Sequence, residues 1–194
     1  MRLIARRKAQ FSVALLAVLV AFGLFGVAGY VLACGTERWS VKTGTDPDAW
    51  MVDLGNIVPT SVSEMNTWQR PAHLPANNRA DWVEVTTFQV YATITQMRRD
   101  PDGDYHIVLM DTDGSTLVSE MPDPSCVGPG SPFTDYIANT RAQIDSVYRL
   151  TTTWHYPNVQ VLVTGVGFWD INHGQAGRAL NSIELHPVLD IQFP

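Results

Sequence analysis

The run WVEVTTFQVYATITQM, residues 82–97, constrains the fold more than any other stretch of the chain. Its valine, threonine, isoleucine and aromatic content is that of a β-strand. Its apolar phase, however, changes part-way: Val83 and Val85 are odd, whereas Phe88, Val90, Ala92 and Ile94 are even. Strand side chains alternate with period two, so both sets reach one core only if an extra residue is inserted near Thr86 and Thr87, as a β-bulge does. The expected element is a long, bent first strand.

After the turn RRDPDGD, YHIVLMD reads as a second strand with Tyr105, Ile107 and Leu109 on one face. The Asp-Gly pair of DTDG marks a tight hairpin into STLVSEM. PDPSCVGPGSP then breaks regular structure, and Ser131 with Pro132 supplies an N-cap and a first turn. Phe133, Ile137, Ile144 and Tyr148 recur at helical spacing, which predicts a helix to about Leu150. NVQVLVTGVGF and SIELHPVLDIQF follow as strands four and five, with Gly165 and Gly167 where a coiled strand has no room for side chains. Ile183, Leu185, Leu189, Ile191 and Phe193 would share one face, with Pro187 at an edge or a partly open seam. Three strands, a helix and two strands make a mainly β fold, a five-stranded OB-like barrel over residues 81–194 with its helix between strands three and four.

Residues 34–80 are punctuated by turn formers and read as an irregular N-terminal wrap, with a short helix capped by Thr60 or Ser61 and running to Trp68. Residues 1–33 have another character. Arg2, Arg6, Arg7 and Lys8 precede an uncharged run from Phe11 to Ala33, the layout of a signal peptide or an N-terminal membrane anchor. The expected location of the rest is therefore extracytoplasmic, secreted or held at the cell envelope. Four of the thirteen basic residues and none of the nineteen acids lie in that first segment, which leaves residues 34–194 with a formal charge near −10. That sign disfavours nucleic acid as the main partner.

The chain has two cysteines, Cys34 and Cys126. In an oxidising compartment they predict one disulfide. The exclusive alternative is a lipid on Cys34, since VLAC loosely matches a lipobox. Membrane attachment would then run through that lipid, or through residues 11–33 if the segment is not cleaved.

CGTERWSVKTGTD at 34–46, DGDYHIVLMD at 102–111 and SIELHPVLDI at 182–191 resemble a group of bacterial exported proteins. These carry an ERW-x-VKT stretch near the mature N-terminus and an IELHPV stretch near the C-terminus. The resemblance spans most of residues 34–194 and implies export and a single domain. It implies no chemistry, and no catalytic residue is carried over from it.

In an OB barrel the ligand meets the loops joining strands one to two and four to five. Here these are 98–104 and 169–181, which present Arg98, Arg99, Asp100, Asp102, Asp104, Asp170, Asn172, His173, Gln175, Arg178 and Asn181. Loops also carry such residues for turn geometry alone. Glu184 and His186, at i and i+2, share a face, and with His106 and His173 they could ligate zinc through nitrogen and oxygen. No HExxH or paired CxxC signature accompanies them, and the outward face of an antiparallel strand is ordinarily polar. DPDGD lacks the downstream glutamate of a calcium loop and reads as a turn. Arg38, Lys42 and Asp46 read as exposed charges beside Trp39, which anchors the wrap to the barrel. No nucleophile elbow and no glycine-rich phosphate loop is present.

Three functions are thus expected in turn. One is a module that binds a ligand or an envelope protein at the loop mouth, with no cofactor. Another is a metal-dependent hydrolase of phosphodiesterase or nuclease type using Glu184, His186, His106 and His173. The last is a structural envelope component.

Overall fold

The computed structural model describes residues 34–194. The expected signal or anchor at 1–33 lies outside them. Among the described residues no helix is long and apolar enough to cross a membrane. The elements are α1 (Trp39–Thr43), β1 (Asp53–Thr60), α2 (Val62–Met65), β2 (Thr86–Arg99), β3 (Tyr105–Met110), β4 (Thr116–Met121), α3 (Thr134–Val147), β5 (Val159–Trp169) and β6 (Ile183–Gln192).

Strands β2 to β6 close a five-stranded barrel. β2 pairs antiparallel with β3, β3 with β4, and β5 with both β6 and β2, while β4 meets β6 in parallel through Val118↔Glu184 and Ser119↔Leu185. Closure depends on the length of β2: residues 87–94 pair with β5 and residues 93–99 with β3, so one strand serves two neighbours. Phe88, Val90, Ala92, Ile94, Ile107, Leu109, Leu117, Val163, Ile183 and Leu185 fill the core. A buried aliphatic side chain of this kind contributes about 1.5–3 kcal/mol.

Two phase changes differ from expectation. Trp82–Val85 is a 3-10 turn, with Asp81 accepting from the Val83 N–H at 3.0 Å, so the odd valines precede the strand. The irregularity in β2 falls instead between Ile94 and Gln96 and returns Met97 to the core. In β6 the pairing with β5 shifts around Gly165 and Gly167, with Val188 opposite Gly165. Leu189 therefore leaves the barrel core and joins Phe133, Ile137 and Val166 beneath α3. Gly165 and Gly167 are close-approach positions: a Cβ on Gly167 would meet the Val83 carbonyl oxygen at 2.6 Å. The two β4–β6 pairs end before Pro187, so the seam there is short.

Ser131 Oγ accepts from the Phe133 N–H at 3.0 Å in a turn ahead of α3, so the helix starts later than the expected cap, at Thr134 after Phe133 with no side-chain cap, and it ends at Val147, short of Leu150. Ser61 Oγ accepts from the Glu64 N–H at 3.0 Å and caps the four-residue α2. The stretch expected to be irregular contains a strand as well. β1 pairs in parallel with the start of β2 and lies mostly exposed outside the barrel. A sulfur–sulfur bond joins Cys34 to Cys126, with Cα atoms 5.6 Å apart. A sulfur so engaged has no valence left for a thioether-linked lipid.

Candidate functional site

The loops at 100–104 and 170–182 meet at one end of the barrel. His106, the second residue of β3, places Nε2 2.9 Å from the Ala176 carbonyl oxygen, and a carbonyl only accepts, so Nε2–H donates across the two loops. Beside this bond is a cleft of about 350 Å³ bordered by Arg98, Asp100, His106, Trp154, His173 and Gln175. The Arg98 guanidinium lies 4.4 Å from the Trp154 ring centre, and its Nε is 2.5 Å from Asp100 Oδ1. Asp170 accepts from Gln175 Nε2 and lies 3.4 Å from His173 Nε2 through Oδ2. Asp102 lines a neighbouring cleft with Lys42 and His173, and its Oδ1 accepts from the Asp104 N–H at 3.2 Å.

Other residues of the expected rim are placed elsewhere. Arg99 follows Arg98 along a strand and so projects to the opposite face. Arg178 donates to the neighbouring Ala179 carbonyl at 3.1 Å. Asn181 donates to the Met65 and Trp68 carbonyls at 2.9 and 3.0 Å, which ties the loop to α2 instead of facing the mouth. Asp104 is buried and accepts from the Asp123 N–H at 3.1 Å.

The face of β6 that carries Glu184 and His186 is not wet. Both residues are buried under α1, whose Lys42 Nζ stands 3.7 Å from Glu120 Oε2 and 3.6 Å from Asp170 Oδ1. The charges expected to be exposed near Trp39 are interior as well: Arg38, Lys42 and Asp46 are all at most 8 % exposed. Arg38 forks onto Glu84, and Arg79 Nη2 reaches Asp46 at 2.9 Å. α1 is held in place by its C-terminal end. Gly44 takes the left-handed conformation at φ 70°, a Cβ there would strike the Phe133 ring at 2.4 Å, and Ser131 Oγ donates to the Thr43 carbonyl at 2.6 Å.

This burial separates the titrations of neighbouring groups. Among the described residues Glu184 has no hydrogen-bond partner on either oxygen, and burial, reinforced by the negative charges of Asp170 and Glu120, holds its carboxyl well above the usual range. Burial likewise pushes Asp104 up to about 8. Glu120 goes the other way. Despite burial, hydrogen bonding to His106 and His186 and the charge of Lys42 keep it ionised well below the ordinary value. The carboxylates around Lys42 outweigh its burial and raise its pKa. Burial lowers His186, whereas Glu120 overcomes the burial of His106 and raises it.

A raised carboxyl contributes stability that is complete below its unfolded pKa, near 4.5, and is lost as pH climbs toward the folded value. A single such group gives at most about 1.4 kcal/mol per pH unit. Urea denaturation at pH 5 and pH 8 is expected to show the wild type losing stability with rising pH and Glu184→Gln losing less. Equal slopes in the two proteins would mean that Glu184 is already ionised in the fold.

The four expected zinc ligands do not converge. Among the described residues, groups able to hold a metal are Asp100 with His106 and Glu120, Asp104 with Glu120 and His186, and Glu37 with Asp170 and His173. Each histidine belongs to a different trio, and Glu184 to none. The residue missed from the sequence is Glu120, which lies 3.1 Å from Nδ1 of both His106 and His186. A signal for it existed in the hairpin: the turn that pairs Met110 with Thr116 also sets His106 opposite Glu120.

No protein family matches the chain, and no curated protein matches it. Among solved structures it is similar to an OBody, AM2EP06, bound to hen egg-white lysozyme, at 11 % identity and a TM-score of 0.35. That likeness covers 55 % of this chain and 78 % of the other.

Proposed function

We propose that this is an exported bacterial OB-fold protein that binds a ligand or an envelope partner at the mouth between its two rim loops. The observation that carries the reading is the bridge from His106 to Ala176, which draws both loops onto one polar cleft flanked by Arg98 and His173. The strand order, with a parallel β4–β6 contact and α3 between β4 and β5, supports the OB assignment. Export is supported by the basic-then-apolar layout of residues 1–33, the likeness of the ERW-x-VKT and IELHPV stretches to exported proteins, and a disulfide of the sort that persists in oxidising compartments. The formal charge near −10 over residues 34–194 favours a partner other than nucleic acid.

A thermal-shift screen of peptidoglycan fragments, envelope glycans and dicarboxylates tests the mouth. Hits are expected to lose their shift in Arg98→Ala and His173→Ala. A separate cleft, of about 410 Å³ between Trp68, Arg70, Asp81 and Trp82, is the alternative seat. Hits abolished by Trp82→Ala and untouched by the mouth variants would overturn the reading.

A further inference from the structure

We infer that Asp100, His106 and Glu120 form a site for one divalent transition cation of the zinc class, open on its fourth side to the cleft beside Trp154. The inference goes beyond the binding reading above and does not depend on whether any partner occupies the mouth.

The argument begins with the tautomer of His106. Because Nε2–H donates to the Ala176 carbonyl, Nδ1 is the nitrogen turned toward the carboxylates: protonated, it donates to Glu120 Oε1, and unprotonated, it offers a lone pair to a metal. That nitrogen faces two carboxylates, Glu120 Oε1 at 3.1 Å and Asp100 Oδ2 at 3.7 Å. A lone pair directed at two acceptors is repulsive unless something positive lies between them, either a proton on Nδ1 or a metal ion. Zinc bonds of about 2.0–2.2 Å at a tetrahedral angle set two ligand atoms about 3.3–3.6 Å apart, and the two observed separations bracket that range. A donor set of one imidazole and two carboxylates suits zinc better than calcium, which takes six to eight oxygens.

The surroundings are those of ligands held from behind. The Ala176 carbonyl fixes the ring, in the manner of the outer partners that orient metal-bound histidines. Arg98 holds the other oxygen of Asp100, while Lys42 and His186 hold the other oxygen of Glu120. The Trp154 ring packs edge-on 5.5 Å from His106 and dries one side. Lys42 also distinguishes this trio from the second one. Its ammonium lies against Glu120 Oε2, the oxygen that faces His186, so a cation between Glu120 and His186 would meet a positive charge already in place. The Arg98 charge lies against Asp100 Oδ1, whereas Asp100 Oδ2 is the oxygen that faces His106.

Binding exchanges the Nδ1 proton for the metal: the N–H bond breaks, a nitrogen–metal bond forms and the proton leaves to solvent. Zinc titration of the oxidised full-length chain by calorimetry, in buffers of differing ionisation enthalpy, reads both stoichiometry and proton release. One zinc per chain is expected, with release of up to one proton at pH 6 and tighter binding at pH 8. Asp100→Asn, at a partly exposed side chain, is expected to weaken binding at least tenfold with an unchanged near-ultraviolet circular dichroism spectrum, and His106→Ala to abolish it. Glu37→Gln, in the Glu37–Asp170–His173 trio, should leave it unchanged. Failure of the folded protein to take up zinc would overturn the inference. So would binding undiminished in Asp100→Asn and His106→Ala, or binding lost in Glu37→Gln instead. None of these outcomes bears on whether organic ligands enter the mouth, which the thermal-shift variants test separately.

Discussion

Replacing Glu84 by alanine is expected to destabilise the protein by about 3–5 kcal/mol, the range for removing one partner of a buried ion pair. Glu84 is fully buried and accepts from four donors: Arg38 Nη1 at 2.5 Å, Arg38 Nη2 at 2.8 Å, the Ala80 N–H at 2.6 Å and the Trp169 N–H at 2.9 Å. Its loss strands the Arg38 guanidinium in the interior, still donating to the Pro75, Asn78 and Trp169 carbonyls but with no counter-charge in contact. An unpaired buried charge costs more than an empty space of the same size. The double variant Arg38→Met with Glu84→Leu is therefore expected to be more stable than Glu84→Ala alone, and urea denaturation of the three proteins measures the difference. A loss below about 1 kcal/mol for Glu84→Ala would show that the pair does not hold the N-terminal segment to the end of β5.

The barrel was readable in the sequence because its signals are local. Alternation marked β3 and β5, the Asp111–Gly114 turn marked the hairpin and with it β4, and helical spacing from Phe133 marked α3, although the helix starts at Thr134 and not at the expected Ser131 cap. What could not be read is set by long-range contact. Trp82–Val85 has strand-forming residues, but Asp81 caps them into a turn and Trp169 bonds back to Asp81 through its indole N–H at 3.0 Å. β1 has glycine, asparagine and proline within it and is a strand only because β2 offers a free flank.

The charged face was misread for a related reason. α1 is five residues long, too short to show a helical period, so nothing in WSVKT announces that Val41, Lys42 and Thr43 point inward. Polar residues on a strand ordinarily mean solvent. Here the segment that excludes solvent is about 80 residues from β4 and 140 from β6 in sequence, and it arrives with its own cation. The two rim loops, by contrast, were placed from barrel topology alone. The contact between His106 and Ala176 required only that the barrel close.

Cys126→Ser, or reduction of the native protein, is expected to lower stability by about 4–5 kcal/mol on the chain-entropy account, because the bridge closes a loop of 92 residues in the unfolded chain. The loss is not expected to fall evenly on the native structure. Cys126 also accepts from the Trp39 indole N–H at 3.3 Å through its carbonyl, so the bridge and the first turn of α1 are joined at one point. Lys42, three residues further on, neutralises Glu120 and Asp170. If α1 lifts, these carboxylates, with the Glu184 carboxyl beside them, lose their cation and gain water. Local opening should therefore cost less free energy than global unfolding once the bridge is gone. Hydrogen exchange reads this directly: amides of residues 41–46 are expected to exchange at least tenfold faster in Cys126→Ser while those of β3 and β5 keep most of their protection. If the reduced and oxidised proteins share one urea midpoint, the bridge does not constrain the unfolded chain. If α1 and the barrel lose protection together, the N-terminal segment is part of the barrel's cooperative unit and not a strap laid over it.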